Sequence, residues 1–316
     1  MMSADSRNSH GFKLGMFLNE LKLPFDEALA AASEIGAEYV WFDHIMDGPQ
    51  LTEMTPAEID DMGRRVESHG LKISLLSPQS PFKFTHLTEL DSDAPESAPI
   101  VQKEMDDVVK TMEMANRLGV RDVLIYTFAW PGEYSSDKPT WPMRWLTRGG
   151  VIADGDMNKL VRIFSRVAEH GERLDVNVVL AMMPWNYTNT TSNFRQIAER
   201  VGSSRLKLMW GPADNFNCGE LDVATAGFTN VRPYLNALHL KDLHVTDGYT
   251  LDFEYRPLGD GDIDFVTIFR SLKMHDCDVV LAVATHFVPP SGSRKEAMTT
   301  NYAKLKRLLK AATDGS

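Results

Sequence analysis

Eight short apolar runs recur along the chain, each separated from the next by a longer stretch, and that alternation restricts the fold more than any other feature. The runs are Phe12–Leu18, Tyr39–Phe42, Lys72–Leu76, Asp122–Tyr126, Asn177–Leu180, Leu206–Trp210, Ala237–Leu240 and Val279–Val283. Near-continuous apolar stretches of this length suit strands covered on both faces, as in a parallel sheet. Between them lie amphipathic segments with recognisable ends. Pro24–Ile35 opens on a proline and closes at Gly36, and Val101–Leu118 stops at Gly119. Thr55–His69 opens with the capping-box pattern Thr55-Pro56-Ala57-Glu58 and stops at Gly70. Met157–Leu174, Asn193–Val201, Phe265–Met274 and Arg294–Ala311 complete the helical set. Unbroken strand–helix alternation predicts an α/β fold, a closed parallel (β/α)8 TIM barrel. A doubly wound open sheet is the competing arrangement. It lacks its signature, because the first strand runs into Asn19-Glu20-Leu21 rather than a Gly-rich dinucleotide loop.

With 316 residues, 43% of them hydrophobic, the chain can bury one large core. Barrels of about 250 residues or more fold as one unit, so residues 12–316 are expected to form a single domain after a polar lead-in over 1–11. No run of about 18 uncharged apolar residues occurs, and the lead-in lacks the apolar stretch of a secretory signal. Cys218 and Cys277 make neither a disulfide framework nor a zinc pattern. These features predict a cytoplasmic protein. A net charge of −11, from 44 acidic and 33 basic residues, disfavours nucleic acid and anionic membrane as partners. A small molecule is the expected partner, with a homo-oligomer left open.

The connections are lopsided. Those from helix into strand are tight, as at Gly36-Ala37-Glu38, whereas Ser77–Pro99 and Thr127–Asp156 follow the third and fourth strands as long loops. In a barrel the loops after strands build the active face, so the candidate residues are sought there. Asp43 and His44 follow the second strand, Gln79 and Lys83 the third, and Trp185 and Asn186 the fifth. The loop after the fourth carries Trp130, Glu133, Trp141, Arg144, Trp145 and Arg148. His239 and Lys241 end the seventh strand and His286 follows the eighth. Aromatic rings beside arginines and amides suit a sugar-like ligand, stacked on its apolar faces and hydrogen-bonded at its hydroxyls. Structural roles compete for the same residues: the Trp-rich loop also suits a packed lid or an assembly contact, Lys241-Asp242 a rim ion pair, and Gly259-Asp260-Gly261-Asp262 a turn and helix cap.

The second half carries a family resemblance. Val179-Leu180-Ala181-Met182-Met183-Pro184, Leu208-Met209-Trp210-Gly211-Pro212-Ala213-Asp214-Asn215, Leu238-His239-Leu240-Lys241-Asp242 and Val283-Ala284-Thr285-His286-Phe287 follow one another in order and spacing. They resemble the sugar isomerase/epimerase branch of the xylose-isomerase-like barrels. That resemblance implies a divalent cation in the barrel mouth, held by Glu, Asp, His and Glu at the ends of strands five to eight. Here those positions read Ala181, Gly211, His239 and Ala284. Hard cations want several oxygen ligands, and one imidazole with Asp214 nearby is a poor site for them. The expectation is therefore no metal and no other cofactor.

Under that resemblance the predicted activity is metal-independent isomerisation, epimerisation or lyase chemistry beside the carbonyl of a keto-sugar or similar polyhydroxy compound. His239, Lys241 and Asp214 are the candidate catalytic residues. His239 or Asp214 would serve as base, and Lys241 would steady an enolate or form a Schiff base. Without a cation beside it, His239 is expected to titrate near neutrality. His44, Gln79, Trp130, Arg144, Trp145, Arg148, Trp185, Asn186 and His286 are the candidate substrate contacts. The alternative is a non-catalytic barrel that kept a sugar-like pocket or partners an active homologue.

Overall fold

A computed structural model describes residues 11–131, 149–248 and 252–314. Eight parallel strands close into a barrel: β1 (Lys13–Phe17), β2 (Tyr39–Phe42), β3 (Lys72–Leu76), β4 (Asp122–Ile125), β5 (Asn177–Ala181), β6 (Leu206–Trp210), β7 (Leu235–Leu240) and β10 (Val280–Val283). Closure is by β1 against β10, with Lys13 opposite Val280 and Met16 opposite Val283. All eight predicted runs are barrel strands, and the open-sheet alternative is excluded.

The continuous apolar character of the strands is explained by two separate cores. Outward-facing residues such as Val40, Val178 and Leu238 pack against the helices. Inward-facing Trp41, Leu75, Leu124, Tyr126, Val179, Met209 and Ala282 fill the barrel itself. At roughly 25 cal/mol per Å2 of apolar surface removed from water, covering both faces of every strand is the main stabilising contribution.

The helices on the outside are α1 (Phe25–Ile35), α2 (Pro56–Ser68), α3 (Pro99–Arg117), α4 (Asp154–Leu174), α5 (Thr191–Val201), α8 (Phe265–Met274) and α9 (Arg294–Asp314). The capping box on α2 forms as its sequence implies, with Thr55 and Glu58 satisfying each other's backbone N–H. Helix α4 begins three residues before the predicted Met157. Its Asp154 and Asp156 look loop-like by composition, yet acidic residues suit the positive end of a helix.

Two features were not predicted. After β6 the chain makes only short pieces, α6 (Pro212–Asn217) and α7 (Phe228–Val231), joined by a π-turn over Val223–Gly227. After β7 it rises as an antiparallel hairpin, β8 (Asp242–Asp247) with β9 (Asp252–Arg256), before returning to α8. The root of the hairpin is pinned by Asp242. Its buried carboxylate accepts N–H groups from Leu243 (2.9 Å), Gly259 (2.8 Å), Gly261 (3.1 Å) and Ile263 (3.3 Å). Gly261 is required there, since a Cβ would collide with that carboxylate and with the Leu243 carbonyl. Asp242 is thus committed to backbone, and Lys241-Asp242 is not an ion pair.

Candidate active site

The C-terminal ends of the barrel strands surround a cavity of about 120 Å3, walled by Phe17, Trp41, Asp43, Lys83, Leu124, Tyr126, Ala181, Met182, Met183, Met209, His239 and His286. Its floor is the apolar barrel interior, where Phe17 stacks on Trp41 at 4.0 Å.

The loops after β3, β4 and β5 are stitched into one wall. Tyr126 N–H donates to the Pro81 carbonyl (3.2 Å), Ala129 N–H to Thr85 (3.0 Å) and Trp130 N–H to Trp185 (2.8 Å). The fully buried Asn186 amide donates to the carbonyls of Phe128 (2.7 Å) and Lys83 (3.0 Å). Ser77 Oγ reaches the Leu124 carbonyl at 3.0 Å. Left-handed backbone gathers in the same region. Of the seven non-glycine residues with positive φ among the described residues, Lys22, Ser80, Phe82, Phe128 and His286 lie in connections after barrel strands, Ser80, Phe82 and Phe128 of them in this wall. A bulky residue there costs about 1–3 kcal/mol, which its surroundings must offset. Phe82 does so by burying its ring completely, stacked at 4.9 Å on Phe128 and edge-on to Phe164. The next residue is Lys83, delivered to the cavity by that turn.

Lys83 has an aromatic setting. Its ammonium lies 4.8 Å from the centre of the Tyr126 ring, 5.4 Å from Phe84 and 5.9 Å from Trp185. Burial pulls its pKa down to about 8, against the opposing charge of Asp43 and with a further push from Lys241. Lys241 is held differently. Only 2% exposed, it forms an ion pair at 2.8 Å with Asp214, whose other oxygen, Oδ2, has no hydrogen-bond partner among the described residues.

His239 projects from β7 into the cavity wall, edge-on to Trp41 and to His286 at ring separations of 6.0 and 6.1 Å. Burial, with the charges of Lys241, His286 and Lys83, holds its pKa well below the usual histidine range. The expectation that it titrates near neutrality is therefore corrected: the imidazole is neutral at physiological pH. Its Nε2 and the Nε1 of Trp41 are buried without a hydrogen-bond partner among the described residues.

His286 is oriented by Glu20, a residue whose sequence position does not mark it as part of a site. Its Nδ1 lies 3.3 Å from Glu20 Oε2, and its backbone N–H donates to Glu20 Oε1 at 3.2 Å. Arg294 binds the same carboxylate at 3.2 Å. Burial raises the Glu20 pKa, but hydrogen bonding and charge from His286 and Arg294 outweigh it and leave the carboxyl below its ordinary value. The available signal is an acid between two leucines, in Leu18-Asn19-Glu20-Leu21 just past the first strand. Tyr255, from the unpredicted hairpin, packs its ring 5.1 Å from His286.

The remaining candidates lie around this centre rather than on the cavity wall. His44 is bonded through Nδ1 to Asp43 at 2.6 Å, and it is Asp43 that faces the cavity. Gln79 is exposed. Trp130 packs on Tyr187 at 5.2 Å, and Trp185 closes the cage around Lys83. Asn186 holds the loops together. Arg144, Trp145 and Arg148, with Glu133 and Trp141, fall outside the described residues.

A divalent cation of the kind the resemblance implies does not match the donors present. Ala181 and Ala284 offer none, Asp214 is engaged by Lys241, and a side chain at Gly211 would collide with Asp214 Oδ2. Among the described residues no three acidic, histidine or cysteine side chains converge as a metal site would require.

The family model for xylose isomerase-like TIM barrels matches residues 29–308. No curated protein sequence matches the chain. Among solved structures, a xylose isomerase-like TIM barrel protein from Mycobacterium smegmatis in complex with magnesium superposes with a TM-score of 0.69 at 14% identity, covering 97% of this chain and 98% of that one. An L-ribulose 3-epimerase gives 0.69 at 16% identity, covering 96% of each chain. A 3-keto-D-glucoside 4-epimerase from E. coli gives 0.64 at 15%, covering 94% of this chain and 99% of that one.

Proposed function

The chain belongs to the xylose isomerase-like TIM barrel family, and from that premise we propose that its barrel mouth moves a proton beside the carbonyl of a keto-sugar or similar polyhydroxy compound. Isomerisation, epimerisation and elimination all begin with that step. In this reading lysine ammonium groups supply the positive charge that a divalent cation would otherwise provide. The observation that carries it is the composition of one cavity: Lys83, His239 and His286 on its wall, with alanine at two of the family's ligand positions. The epimerases among the structural neighbours support the substrate class.

The roles follow from the geometry. Glu20 fixes the His286 ring through Nδ1, which favours the tautomer with a lone pair on Nε2 and makes His286 the general base. As the α C–H bond breaks, its electron pair moves toward the carbonyl and negative charge grows on the oxygen. Lys83 stabilises that charge, beside the Trp41 Nε1–H and the His239 Nε2, neither of which has a hydrogen-bond partner among the described residues. A base so placed is worth about 10²–10⁴-fold in rate.

The test is exchange in D2O. A panel of ketoses and 3-keto-glycosides is followed by NMR with excess EDTA present. Wash-in of deuterium at the carbon beside the carbonyl is expected to survive EDTA and to fall at least ~10²-fold in His286→Ala. Exchange that stops with EDTA and returns with Mn2+ overturns the lysine reading. Tight binding without exchange favours a binding-only barrel.

A further inference from the structure

We infer that the Lys83 amine is a covalent carbonyl trap: it condenses with the aldehyde or ketone group of a ligand in the cavity to form a protonated imine. This rests on the reading of the cavity as a carbonyl site and deepens it, because an imine draws electrons from the neighbouring C–H bond more strongly than an unreacted carbonyl does.

The placement is specific. Lys83 is part of the cavity wall, and among the described residues no carboxylate comes within ion-pairing distance of its amine, whereas the buried Lys241 is paired with Asp214 and the buried Lys159 donates to the Leu87 carbonyl at 3.0 Å. Its neighbours are ring faces rather than acceptors. The backbone beneath it is fixed, with its N–H on the Ser80 carbonyl (3.2 Å) and its own carbonyl on Asn186 (3.0 Å). A nearby second ammonium, that of Lys241, and burial both favour the free amine, the two devices by which lysine nucleophiles are activated. With a pKa of about 8, roughly a tenth of the amine is neutral at pH 7, some hundreds-fold more than for an ordinary lysine.

The step balances without a further reagent. The nitrogen lone pair forms a bond to the carbonyl carbon, the C=O π pair moves to oxygen, and a proton passes from nitrogen to that oxygen to give a carbinolamine. A second proton on the hydroxyl lets it leave as water while the nitrogen lone pair completes C=N+. Loss of the adjacent C–H proton to His286 then gives an enamine. Reprotonation and hydrolysis return the product and the free amine.

The experiment uses dihydroxyacetone and D-glyceraldehyde as probes with sodium cyanoborohydride, which delivers hydride to C=N+ and leaves a stable secondary amine on the lysine. Peptide mass spectrometry then locates it. The expected result is labelling of Lys83 at least ~10-fold above any other lysine at pH 7, in line with its larger free-amine fraction. Lys83→Arg keeps a positive charge but cannot form the imine, and its melting temperature checks that it folds. It should lose both the label at this position and the deuterium exchange. A label spread over surface lysines, with exchange intact in wild type, overturns the imine while leaving the carbonyl reading in place. Lys83→Arg exchanging at the wild-type rate overturns it too. Selective labelling of Lys83 without any exchange supports the imine and sinks the proposed turnover instead.

Discussion

Two lysines serve the same barrel mouth from different parts of the sheet and meet opposite environments. Lys241, at the end of β7, is neutralised by Asp214 at 2.8 Å and both partners are sealed from water. Lys83, from the loop after β3, has three aromatic rings about its amine and no ion-pairing carboxylate among the described residues, with Asp43 acting on it across the cavity. The first is a charge whose cost of burial has been met by a partner. The second is a charge whose cost is offset only in part, by Asp43 at a distance, and proteins retain such groups where reactivity outweighs stability.

The comparison can be broken most directly at Lys241. Lys241→Met leaves the Asp214 carboxylate buried and unpaired, which should cost about 3–5 kcal/mol in urea unfolding. Adding Asp214→Asn should recover much of that loss. A single variant within about 1 kcal/mol of wild type would show that the pair is hydrated.

Lys83→Met should go the other way. At pH 7 the folded protein holds this group at about 8 while the unfolded chain holds it near its ordinary value, so the unfolded state binds the proton more tightly between those limits. The penalty is full below pH 8 and is relieved as pH climbs to about 10.5. Because the amine borders the cavity, a discounted gain of about 1–2 kcal/mol at pH 7 is expected from the substitution. A loss of stability of that size would mean that the aromatic cage more than compensates the charge.

Glu104, on α3, sharpens the picture of the Lys83 wall. Thr85 Oγ1 donates to it at 2.9 Å, and burial pushes its carboxyl up to about 7. The unfolded carboxyl ionises near 4.5, so the folded state alone keeps the proton from there to about 7, and stability declines as pH rises through that window. Glu104→Gln should flatten the decline and gain about 1–2 kcal/mol at pH 8, read from denaturant midpoints across pH. A slope unchanged in the variant would assign the decline to other groups. The smallest effect is expected at Gln79, which is exposed: Gln79→Ala should stay within about 0.5 kcal/mol of wild type and leave Lys83 labelling unchanged.

The two halves also differ in how far they could be read from sequence. The strands were legible because each is apolar on both faces, and the alanines in place of ligand carboxylates were legible because no acid lies within reach of Ala181 or Ala284 along the chain. The β8–β9 hairpin was not. Its outer residues, Thr246, Asp247, Asp252 and Glu254, are exposed, so the segment lacks an apolar run. The exchange of roles between the lysines was invisible for a different reason. Lys241 looked like the reactive amine because it ends a strand, but Asp214 reaches it from another element. Lys83 gained its position from the left-handed turn at Phe82 and the stacking on Phe128, neither of which has a local sequence signature. Glu20 meets His286 across nearly the whole length of the chain.

Gly211 limits how the site can be altered. Its neighbour Asp214 fills the space that any side chain at 211 would enter. Placing a carboxylate at 211 by one mutation would set two acids on the same spot. Removing Asp214 first would maroon the Lys241 ammonium, at a cost of several kcal/mol. Each single step toward a carboxylate-lined metal site at this place therefore crosses a folding penalty before any cation could bind. The three positions Gly211, Asp214 and Lys241 are thus energetically coupled, and a design that installs a metal ligand here must change them together.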